Sequence, residues 1–122
     1  MSYAVTLSES RRFLVITVEG SITVELARSF AREASRVSGD SGINRFLFDV
    51  REASNVDSVI ANYRFAYEDM PALGLSRSAR SAILTREDDR SHEFVELAAQ
   101  NAGYLVRLFS ERGAAVAWLE EP

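Results

Sequence analysis

Ser58 directly follows Asp57 in the stretch RFLFDVREASNVDSV (residues 45–59), where an apolar run gives way to polar residues and a helical pattern begins. A serine in that place can do three kinds of chemistry. It can cap the helix, its oxygen accepting from amides that a first turn leaves open, and Asp57, or Ser54 with Asp57 three residues on, can do the same. It can accept a phosphoryl group, because the positive end of a helix favours added negative charge. Or it can act as a nucleophile beside a base. His92 is the only histidine and therefore the only side chain with an unperturbed pKa near neutrality, so a hydrolase in this chain would use Ser58 and His92. No Gly-x-Ser-x-Gly elbow surrounds any serine. His92 also follows Ser91 at a helix start, where a solvated surface histidine is expected.

Other chemistries are excluded more firmly. The chain has no cysteine, so disulfides, thiol catalysis and thiolate metal sites are impossible. All fourteen basic residues are arginine, which rules out Schiff-base lysines and a phosphate-loop lysine. Glu87, Asp88 and Asp89 form an acidic run without the alternating oxygen pattern of a calcium loop, and a single histidine does not make a zinc site. No metal, no cofactor and no catalytic residue is assigned. A net charge of −4 argues against nucleic acid as a partner, since such binding needs a basic face.

The segment after Ser58 carries Asn62, Tyr63, Phe65, Tyr67 and Met70. Tyr63 and Tyr67 are four apart and share a helix face, so they are expected to pack on a sheet. Phe65 points elsewhere, either into a groove or outward as part of an interface. A helix that is apolar on more than one side implies self-association or a small apolar pocket.

These residues need a frame, and hydrophobic periodicity supplies one. YAVTL and FLVITVEG alternate as two strands around a polar turn, with Leu14, Ile16 and Val18 on one side and Phe13 and Val15 on the other. Ser21 or Thr23 opens a helix with Leu26, Phe30, Ala34 and Val37 inward and an end near Gly39. RFLFDV is a buried strand ended by Asp49. The next helix is spaced by Val56, Val59, Tyr63, Ala66 and Met70, with Pro71 as its stop. SAILT and YLVRLF are two further buried strands. Ser91 is expected to cap the helix between them, with Phe94, Leu97 and Ala98 inward and Gly103 at its exit. A last short helix carries Val116, Trp118 and Leu119. Phe48, Val50, Ile83, Leu84, Val106 and Leu108 should be almost fully buried. The order predicts one α/β domain over residues 1–122: a mixed sheet of about five strands, an opening hairpin and about four helices.

With LFDV and VDSV placed in that order, the chain resembles the STAS superfamily (sulfate transporter and anti-sigma-factor antagonist). It is most similar to the SpoIIAA-like group of small stand-alone proteins. Members carry a hydrophobic strand ending in Leu-Asp-Leu and, about eight residues on, Asp-Ser-Ser-Gly at a helix start. Here Asp49 and Asp57 keep that spacing, and Ser58 matches the serine phosphorylated in anti-sigma-factor antagonists. Val59 and Ile60 stand at the second serine and the glycine. The resemblance implies a non-enzymatic regulatory module with a protein partner, itself in a homodimer among the options, and a contact face at Asp57, Ser58 and the following helix. The alternative is a carrier or sensor of a small apolar or lipid-like ligand held between the sheet and the Asn62–Met70 helix. With no secretory signal visible and no apolar run near the ~18 residues of a membrane span, no membrane insertion and a cytoplasmic location are expected.

Overall fold

The structure, a computed structural model, describes residues 2–122. Among these residues the order is β1 (Tyr3–Leu7), β2 (Leu14–Ile22), α1 (Val24–Ser41), β3 (Arg45–Asn55) and α2, which begins as Val59–Arg64. Helix α2 continues through a π-helical turn, Phe65–Asp69, into a last turn, Met70–Ala72. Then follow β4 (Arg80–Leu84), α3 (Glu93–Asn101), β5 (Leu105–Phe109) and α4 (Arg112–Leu119). The five strands form one sheet in chain order, with β1 antiparallel to β2 and all other neighbours parallel.

That order dictates where the helices go. Right-handed crossovers that always step the same way across a sheet leave their helices on one face. Accordingly α1, α2 and α3 cover one face, over Leu14, Ile16, Val18, Phe46, Val50, Ile83 and Val106. The opposite face is closed by α4 alone, whose Ala115 and Leu119 pack on Phe13, Leu47, Ala82 and Leu84. Two arginines at the start of β3 and β4 fix that helix. Arg45 donates to the Leu119 carbonyl and Arg80 to the Trp118 carbonyl at 2.7 Å, so guanidinium groups satisfy the negative end of α4.

Several boundaries differ from the periodicity. Helix α1 runs past Gly39 to Ser41, and Gly42 ends it in the left-handed region at φ 77°. Asp49 does not end β3: the strand bends at a register shift between Thr17 and Glu19 of its neighbour and then pairs on, Glu52–Asn55 beside Glu19–Ile22. Pro71 lies inside the last turn of α2 rather than stopping it at Met70. The wide π turn, closed by the Met70 amide on the Phe65 carbonyl, resets the backbone just before the proline.

The interior expectation holds for Val50, Ile83, Leu84 and Val106, all buried. Phe48 and Leu108 are only half-buried. Phe48 faces a cavity described below, and Leu108 lies on β5, a sheet edge. Phe94 and Leu97, expected inward, are 47% and 46% exposed; Ala98 is inward as expected, joined by Ala99.

Candidate functional site

The long β3 strand builds the site. It extends beyond the end of β4, so the last residues of β3 have no strand beside them there. The loop after β4 takes that place. The Ser91 hydroxyl accepts from the Asn55 amide at 3.0 Å, the Ser54 hydroxyl donates to Asp89 at 3.2 Å, and Nε2 of His92 donates to the Ala53 carbonyl at 3.1 Å. Backbone polar groups that lose their ladder partners must find others, and this loop supplies them. Ser91 is thus engaged with β3, and among the described residues no side chain caps the start of α3.

Two sequence expectations change here. His92 is not a surface histidine: it is 4% exposed, and its Nε2 also lies 3.5 Å from an Asp89 oxygen. Burial raises the pKa of Asp89, but the Ser91 amide and hydroxyl, His92 and Ser54 together outweigh it and hold the carboxyl below its usual range. The arrangement is not a nucleophilic triad, because the carboxylate stands between the serine and the histidine rather than behind the histidine. Nor is Ser58 brought to His92. No hydrogen bond joins them among the described residues, and the only partners of Nε2 are Ala53 and Asp89. Among the described residues no group of three or more histidine, aspartate or glutamate side chains is arranged to hold a metal.

Ser58 is the cap of α2: its oxygen accepts from the Ala61 amide at 3.1 Å, and the residue is exposed. Asp57 serves a different helix. Its carboxylate accepts from the Val24 amide at 2.6 Å, at the first residue of α1, while Thr23 takes the Leu26 amide at 3.1 Å. The adjacent pair therefore ties the positive ends of two helices together at one corner. Asn62 completes the corner from inside. Buried, it accepts from the Asn55 side chain at 3.0 Å and donates to the Ser58 carbonyl at 2.9 Å.

Of the aromatics of α2, Phe65 takes the inward of its two expected positions and Tyr63 packs partly on the core, but Tyr67, expected on the sheet, is exposed. Phe65 is buried, while Tyr67 is exposed and stacks on the half-buried Tyr63, their rings 6.3 Å apart and 9° from parallel. The inward set is Asn62, Phe65, Ala66 and Met70. Its five-residue step from Phe65 to Met70 is the π turn, which a search for spacings of three and four does not find. Asn62, Phe65 and Met70 line a cavity of about 320 Å³ between the sheet and the three helices, with Phe48 on its sheet side. Tyr63 and Tyr67 do not. Outside the cavity, Val56, Val59 and Ile60 surround Ser58 and are 57%, 43% and 68% exposed. Val56 and Val59, expected to point inward, instead give this corner an apolar surface.

Neither a family model nor a curated protein matches the chain. Solved structures do. An anti-sigma factor antagonist from Mycobacterium paratuberculosis superposes with a TM-score of 0.61 at 14% identity, over 98% of this chain and 96% of that one. The anti-sigma factor antagonist SpoIIAA in its unphosphorylated form superposes with a TM-score of 0.56 at 13% identity, over 98% of this chain and 99% of that one. The mixed sheet with its antiparallel opening hairpin, the helix order and these superpositions give one conclusion: the chain has the STAS fold and is structurally similar to the anti-sigma factor antagonists.

Proposed function

We propose that this protein is a non-enzymatic regulatory module of the cytoplasm that works through protein contacts, its own second copy first among the partners. The contact face is the corner at Asp57 and Ser58 with the start of α2. The observation that carries this reading is the exposure of Val56, Val59 and Ile60, three branched aliphatic residues that flank the capping serine in the sequence. Apolar groups gathered at one rigid corner lose contact with water when a partner covers them. The similarity to anti-sigma factor antagonists supports a protein partner as the covering group. Ser58 is the switch position of this reading. A phosphate there adds negative charge beside Asp57 and in the middle of the apolar face, changing a partner's contact surface by repulsion and desolvation.

The test uses native protein, Ile60→Glu, Ser58→Asp and Ser58→Ala, compared by sedimentation at increasing concentration and by affinity capture from the source cell. Self-association or a captured partner that Ile60→Glu and Ser58→Asp lose, and Ser58→Ala keeps, supports the proposal. Equal mass and equal recovery for all four proteins would overturn it.

A further inference from the structure

The cavity on the three-helix face is of a size used for small-molecule sites, which run from roughly 300 to 1,000 Å³. Its middle is walled by Phe30, Phe46, Phe48, Phe65, Met70 and Ile83. Short side chains leave the space open: Ala27 and Ala34 from α1 and Ala99 from α3 stop at a methyl group where larger residues would fill it. Water is a poor occupant of such a middle, because a buried water needs about two to four polar partners.

Polar groups occur at the two ends, and they are not equivalent. At the end near the carboxyl termini of the strands, Asn62 and His92 are already engaged with Asn55, Ser58 and Ala53. At the other end, together with Asn44, Ser76 and Ser81, stands Tyr104, next to the first residue of β5. It is 5% exposed and lines the cavity, and among the described residues its hydroxyl is the one buried side-chain polar atom without a hydrogen-bond partner. The ring is held in place. The Arg77 guanidinium lies 4.8 Å above its centroid and is itself fixed by donating to the Ala102 carbonyl at 3.1 Å. A phenol so held does not swing out to find water, and a buried hydroxyl left unpaired is unfavourable.

We propose that this cavity is the binding site of a small molecule with an apolar body and one hydrogen-bonding group, the body lying between Phe48, Phe65 and Met70 and the polar group meeting the Tyr104 hydroxyl. The inference goes beyond the surface reading above and is independent of it, since Ile60 and Ser58 take no part in it.

The probes are 1-octanol and n-octane, added to the full chain and followed by NMR shifts of the Met70 and Ala99 methyl groups, with Ala115 and Leu119 as reporters of the opposite face. The expected result is saturable shifts at Met70 and Ala99 with the alcohol, and none at Ala115 and Leu119. Ala34→Leu, which fills the space, should weaken binding of both probes at least tenfold. Tyr104→Phe should weaken the alcohol about three- to tenfold, as for the loss of one hydrogen bond, and leave the alkane unchanged. Should Ala34→Leu fail to fold, Ala99→Leu serves as the filling variant. Saturating alcohol that leaves Met70 and Ala99 unmoved, or equal alcohol affinity in native protein and Tyr104→Phe, would overturn the proposal.

Discussion

The two faces of the sheet are built to different standards of packing. One carries three helices and still leaves a partly open cavity of about 320 Å³ beneath them. The other is closed by α4 alone, eight residues long, yet Leu47, Leu84, Ala82, Ala115 and Leu119 are all essentially without solvent contact. The number of covering elements does not set how well a face is filled. What sets it is the match of large and small side chains at the contact. On the α4 face Leu119 presents bulk and Ala82 and Ala115 give it room. On the other face aromatic residues and alanines line the space without filling it. A face packed tightly under minimal cover serves stability, whereas slack under generous cover leaves room for a ligand.

The comparison can be broken most directly on the tight face. Leu119→Ala should destabilise the protein by about 2–5 kcal/mol, through lost transfer free energy and a cavity that α4 cannot close, as measured by a chemical melt. A matched pair sharpens the contrast. Ala115→Leu should cost about 1–3 kcal/mol by overpacking, while Ala34→Leu, made toward the open space, should change stability by less than about 1 kcal/mol in either direction. Equal losses would mean that the cavity is as rigid as the packed face.

At the corner where α1 and α2 begin, Ser58→Ala should cost about 1 kcal/mol, the usual value of a helix cap, and Asp57→Ala should cost a similar amount through α1 instead. Because the two act on different helices, amide exchange should loosen the first turn of α2 in one variant and of α1 in the other. The smallest effect concerns acid. Hydrogen bonding to Arg51 is the main cause that holds the Asp49 carboxyl below its usual range, with distances of 2.9 and 2.7 Å. A carboxyl with a lowered folded pKa contributes stability above its unfolded value of about 3.9, and that contribution disappears as pH falls through the folded value. Asp89, also lowered, acts in the same direction. Melts at falling pH should therefore show a loss beginning below about pH 4, with a shallower slope in Asp49→Asn. Identical slopes would assign the loss to other carboxylates.

The element order, the parallel strands and the inward side of β2 were legible because they rest on long apolar runs with clear periods. The corner was legible in part. Ser58 at a helix start follows from its type and place, but the division of labour with Asp57 does not, since Val24 is brought there only by the fold. On the inner side of α2, Ala66 and Met70 were legible from their spacing, while Asn62 and Phe65 were not, because a buried asparagine stands in the apolar stripe and the π turn adds a five-residue step. His92 read as surface because its neighbours are charged. The signal that could have placed it is the mismatch in strand length between β3 and β4, which obliges the following loop to supply polar partners.

The position of α4 in the chain has a consequence for how the molecule assembles. Sheet order equals chain order, so each strand can dock on its predecessor as it appears, with the intervening helix folding over the growing edge. The face under α4 follows another schedule. Phe13 and Leu47 emerge early, but their cover is the last helix, and the arginines that hold it, Arg45 and Arg80, wait for carbonyls at Trp118 and Leu119. During synthesis one side of the sheet can close progressively while the other stays bare until α4, which follows all five strands, arrives. Exposed apolar surface of that kind is where a nascent chain is most prone to stick to its neighbours, so α4 decides when this face of the sheet stops being a liability.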